Sequence, residues 1–97
     1  MASSELINKA KMAKRMTTTA FDSEVERLLD AALLDLGCAG VEVPAEMGPL
    51  VEQAAITYFL MNFGSPDEYD RLKRSYDEQK AQLSTRTGYT IWEVNHG

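Results

Sequence analysis

Side chains able to do chemistry are few in this 97-residue chain, and their spacing suits little of it. The one histidine, His96, stands at the second-last position. A catalytic base must be held within hydrogen-bond reach of its proton, and chain ends are poorly ordered unless tied down. His96 therefore reads as an exposed tail residue. The one cysteine, Cys38, lies between Gly37 and Gly40 with no histidine nearby. It reads as a small core residue at a helix end, not as a nucleophile. No Cys/His spacing matches a zinc site, and no glycine-rich loop of the phosphate-binding kind is present. Glu26 and Asp30 fall on the polar face of a leucine-rich helix, where solvation alone places carboxylates. The expectation is a chain with no catalytic residue, no metal and no cofactor.

The basic residues are the next candidates. Sequence-specific DNA binding needs a helix that offers Arg, Lys, Asn or Gln to base edges, with basic support for phosphates. Residues 50–63 contain no basic side chain. The following helix carries Arg71, Lys73 and Arg74 but opens with Asp67, Glu68 and Asp70. That acidic start repels phosphate where a recognition helix normally enters the groove. Interaction with protein is the better reading. Tyr89, Ile91 and Trp92, with Val94, are anchor types for an interface, and Arg71 and Arg74 are candidate contacts on the charged helix. The competing reading folds that aromatic tail back onto its own core.

Four helices must position these residues. The first covers about Ser4 to Arg15, with Leu6, Ile7, Ala10, Ala13 and Met16 near one face and lysines on the other. Its alanines make a thin anchor, so it is expected to pack weakly or lean on a partner. Thr17-Thr18-Thr19, all β-branched, breaks it. The second helix starts after Phe21, with Ser23 and Glu26 as a possible capping box and Asp22 as the alternative cap. Val25, Leu28, Leu29, Ala32, Leu33 and Leu36 repeat on one helical face. Gly37 or Gly40 ends it, and Pro44, Gly48 and Pro49 punctuate the loop that follows. The third helix runs from Pro49 or Leu50 to Phe63 and is apolar on most sides, so it should be central.

The hinge Gly64-Ser65-Pro66 joins the third helix to the fourth. Gly64 reads as a left-handed C-cap, Ser65 and Glu68 as a capping box, and Pro66 as the first helical residue. The fourth helix runs from Pro66 to about Leu83 with a narrow stripe of Tyr69, Leu72, Tyr76 and Leu83. Arg71, Lys73, Arg74, Asp77, Glu78 and Lys80 are expected on its exposed side, and part of it should project beyond the core. Residues 84–97 read as an extended tail. The expected fold is all-α, a small bundle of about four helices in one domain over residues 1–97. Its parts are a basic N-terminal helix (1–20), a helical core (21–83) and the tail.

Composition bounds the class. Apolar residues make up 44% of the chain, enough for a small core. One cysteine allows no internal disulfide and fits a reducing compartment such as the cytoplasm. The apolar runs are too short to span a membrane, and Met1 to Glu5 lacks a signal-peptide layout. Net charge is −5, distributed in blocks: +3 over residues 1–20, −10 over 21–70 and +2 over 71–97. Such blocks arise from ordinary solvated helix faces, or from a subunit whose positive regions meet a neighbour's negative ones.

Three segments resemble the small head–tail connector (adaptor) proteins of tailed bacteriophages, also called DNA-packaging proteins. The first is Met16-Thr17-Thr18-Thr19-Ala20-Phe21-Asp22-Ser23-Glu24 with the leucine helix ending in Asp35-Leu36-Gly37. The second runs from Pro49-Leu50-Val51-Glu52-Gln53 through Tyr58 to Asn62-Phe63-Gly64. The third runs from Tyr69-Asp70-Arg71-Leu72-Lys73-Arg74-Ser75-Tyr76 through Leu83 to Thr87-Gly88-Tyr89-Thr90. Together they span most of the chain in the family's order. The resemblance implies a small all-α fold and no catalytic residues. It also implies a homo-oligomeric ring, usually twelve-fold, below the portal protein. Such a ring extends the DNA channel and offers an attachment site to a tail-side completion or stopper protein. Double-stranded DNA would pass through without sequence-specific binding. The location implied is the head–tail junction of the virion, with the host cytoplasm as the place of assembly, and no membrane is involved. Two other classes remain open: a small helical DNA-binding regulator, which needs a basic face, and a generic helical protein–protein adaptor, which needs a fixed dimer.

Overall fold

A computed structural model of the chain describes residues 2–41, 48–64 and 66–85. Helices α1 (Ser4–Ala13), α2 (Asp22–Cys38), α3 (Pro49–Phe63) and α4 (Pro66–Thr85) form a small all-α bundle. Among the described residues there is no strand beyond an isolated bridge residue at Val41. Helix α3 packs against each of the other three, as its near-continuous apolar surface requires. Val51, Ala54, Ala55 and Phe59 of α3 are fully buried.

The core has two parts. Leu6 and Ala10 of α1, Val25, Leu29 and Ala32 of α2, and Ala55 and Phe59 of α3 make the first. Leu36 and Val41, Val51 and Ala54, and Tyr76 and Leu83 of α4 make the second. Leu33 and Tyr58 touch both clusters and join them. Helix α1 is thus better anchored than its alanines suggested. Leu6 and Ala10 have no exposed surface, Ser3 caps the helix by accepting from the Leu6 N–H, and Lys9 reaches Glu52 of α3 at 2.9 Å. Of the alanines expected on its inner face, Ala10 is buried and Ala13 is exposed.

Both α1 and α2 end in the same device. At α2 the Val41 N–H donates to the Leu36 carbonyl (3.0 Å) and the Gly40 N–H to the Gly37 carbonyl (3.0 Å). Gly40 has φ +89°, the left-handed value this motif needs, and glycine adopts it without steric cost. Gly37 lies inside the helix, so Gly40 is the terminator. At α1 the Met16 N–H donates to Lys11 (2.8 Å) and the Arg15 N–H to Met12 (3.0 Å). The left-handed residue there is Arg15, at φ +59°. The helix therefore stops before the threonine triplet, at a turn the residue types did not announce.

Other boundaries also differ from the sequence reading. Helix α2 begins directly after Phe21, as expected, but Phe21 itself is the N-cap and there is no side-chain cap, so neither Ser23 nor Asp22 serves as one. Asp22 instead accepts from Lys11 at 2.6 Å, which ties the start of α2 to α1. Gly64 is extended (φ −89°, ψ −165°) and not left-handed. Its lack of a side chain matters for another reason: a Cβ there would lie 2.7 Å from the Leu60 carbonyl oxygen. Pro66 does begin α4, with Asp67 and Glu68 in the first turn, where negative charge suits the helix dipole. Ser65 lies outside the described residues, and so does its capping box with Glu68. Ser84 and Thr85 belong to α4, not to the tail. Cys38 is exposed, not part of the core.

Candidate interaction surface

Helix α4 is twenty residues long, about 30 Å, and it packs mainly on α3. Tyr76 and Leu83 are its buried side chains, while Leu72 is half-buried and Tyr69 is exposed. The apolar stripe is therefore narrower than the four residues expected. Asp67, Asp70, Arg71, Lys73, Arg74, Asp77 and Glu78 all lie on exposed surface. Arg71 meets Glu68 at 3.3 Å and Lys73 meets Asp77 at 2.9 Å, both pairs within one turn of the helix. Exposed pairs of this kind add little stability.

Lys80 departs from the expected exposed set. It is half-buried and donates to Asp35 Oδ2 of α2 at 3.1 Å. Tyr76 Oη donates to the same oxygen at 2.6 Å, and Lys80 Nζ lies 5.1 Å from the Tyr76 ring centroid. The Tyr58 ring of α3 packs edge-on against Tyr76, with centroids 5.3 Å apart. The Tyr76 hydrogen bond, backed by Lys80, holds the Asp35 carboxyl below the usual aspartate range. Burial, reinforced by Asp35, pushes the Tyr76 phenol up. The cluster is a polar clasp between α2 and α4 beside the second core cluster. Tyr76 was legible as a core residue, but its partner Asp35 is 41 positions away and carries no local signal.

A second feature lies at the other end of α4. The C-terminal turn of α1, the last turns of α3 and the start of α4 enclose a cleft of about 340 Å³. Leu60 and Leu72 give it apolar walls, and Lys14, Arg15, Glu68 and Arg71 give it charge. The side chains of Lys14 and Arg15 make no hydrogen bond or ion pair among the described residues. Of the sequence-expected contact residues, Arg71 thus lines this cleft, whereas Arg74 stands exposed without an ion pair among the described residues. Tyr89, Ile91, Trp92 and Val94 lie outside the described residues. Lys14 and Arg15 could have been found as adjacent cations at a helix end, but their meeting with Arg71 depends on tertiary packing.

Among the described residues, no three of His, Cys, Asp and Glu are grouped as metal ligands. No described helix is long and apolar enough to cross a membrane. No family model, curated protein or solved structure matches the chain.

Proposed function

We propose that this chain is a structural head–tail connector subunit of a tailed phage. In this reading it forms a homo-oligomeric ring below the portal and acts as a conduit, without enzymatic activity. The observation that carries the proposal is the ordered set of three connector-like segments from Met16 to Thr90. An all-α bundle with a long, one-sided fourth helix is compatible with it. So is the acidic block of residues 21–70, since a channel for sliding DNA should not grip phosphates. A DNA-binding regulator fits less well, because α3 is largely buried and lacks basic residues and α4 begins with Asp67 and Glu68.

Deleting residues 88–97 tests the proposal. The helical circular-dichroism signal should persist while assembly of tail-bearing particles fails. Normal infectivity of virions carrying the truncated protein would remove the tail from any connector role. Unfolding of the truncated protein would place the tail in the core. Tight, sequence-selective binding of a short duplex at physiological salt would favour the regulator instead.

A further inference from the structure

The cleft of Lys14, Arg15 and Arg71 has chemistry of its own. Three cations and one carboxylate, Glu68, surround walls formed by Leu60 and Leu72. Its volume of about 340 Å³ is at the small end for ligand sites and far too small for a helix. A cleft of this size admits one or two side chains, and its cationic rim favours negative charge. Arg15 sits there at φ +59°, a conformation that costs a non-glycine residue free energy. Held there, it is placed beside Lys14 with no carboxylate partner among the described residues.

The chain itself carries the complement. Residues 21–70 have a net charge of −10. Glu26 and Asp70, both within that block, have no ionic partner among the described residues. We propose that the Lys14–Arg15–Arg71 cleft receives carboxylate side chains from a second copy of this chain. The contact joins a cleft on one copy to carboxylates on the other, so a joined pair keeps one open cleft and one unused set of carboxylates. This inference rests on the self-association in the proposed function and names the surface that would mediate it.

Zero-length carbodiimide cross-linking of an equimolar mixture of ¹⁴N- and ¹⁵N-labelled protein tests this on the unaltered chain. The expected product is a mixed-isotope peptide joining Lys14 to an acid within residues 21–70. The paired variant Lys14→Glu/Arg15→Glu, with its helical signal checked, should weaken self-association at least about tenfold. Mixed with wild type, it should still donate its own carboxylates and so end growing assemblies early. Mixed-isotope cross-links that never include Lys14, or association unchanged in the variant, would overturn the cleft assignment and leave the oligomeric reading standing. Absence of any mixed-isotope product at high concentration and low salt would overturn both. Binding of a single-stranded or duplex oligonucleotide that is lost in the variant would assign the cleft to phosphates and overturn the second-copy proposal.

Discussion

Removing the Tyr76 hydroxyl leaves Asp35 with Lys80 as its remaining described partner. Asp35 is partly exposed, so the loss is modest: Tyr76→Phe should cost about 1 kcal/mol, or about 5 °C in Tm. The pH dependence has two limbs. The folded-state pKa of Asp35 is depressed, so its contribution is full above the ordinary aspartate value of about 4. It is lost as pH falls through the lower folded-state value. The advantage of wild type over Asp35→Asn in thermal melts should therefore shrink in acid. The Tyr76 pKa is raised, so its contribution is full below the ordinary phenol value of about 10 and declines as pH rises past it. Tyr76→Phe should blunt the alkaline fall. At Arg15 the strain is in the backbone: Arg15→Gly should raise stability by up to about 1 kcal/mol, read by urea titration. Substituting Gly40 with alanine should do the reverse.

Helix α2 separates burial from hydrophobicity. Leu29 has no exposed surface and Leu34 is 72% exposed. Leu29→Ala should cost about 2–5 kcal/mol, whereas Leu34→Ala should change stability by less than about 0.5 kcal/mol in the same melt. The repeat from Val25 to Leu36 made that distinction legible, because 3.6-residue periodicity assigns each leucine to a face. The same reasoning placed α3 at the centre and set its bounds. It failed where a contact from elsewhere, or the backbone itself, decided the outcome. Ser23, with Asp22 as the alternative, is the cap that residue types suggest, but Phe21 takes that position and Lys11 binds Asp22. The end of α1 was assigned to β-branched residues, but a left-handed arginine makes it. Gly64 was correctly read as a position that needs glycine, for the wrong reason. Because a Cβ at this position would lie 2.7 Å from the Leu60 carbonyl oxygen, Gly64→Asn should be destabilising, and tolerance of the left-handed region should not rescue it relative to Gly64→Ala. The candidate cleft was legible only as separate charges, since Lys14 and Arg71 are brought together by packing.

At the scale of the molecule, helix packing is unequal. α1, α2 and α3 pack on one another, whereas α4 is bound chiefly by α3. Detaching α4 would remove Tyr76 and Leu83 from the second core cluster but leave Leu6, Val25, Leu29 and Phe59 in the first. The expectation is that α4, held by one neighbour and the second core cluster, opens as a separate unit from the three-helix base. In native-state hydrogen exchange, the amides of α4 should become labelled through a partial opening below the global unfolding free energy. The central amides of α3 should wait for complete unfolding. Mild urea should bring the two classes together only as the global transition is approached, and Tyr76→Phe should lower the protection of α4 first. In the proposed assembly, a surface carried on α4 could then reorganise within the lifetime of the folded three-helix base, which would let a misplaced neighbour be corrected without complete unfolding.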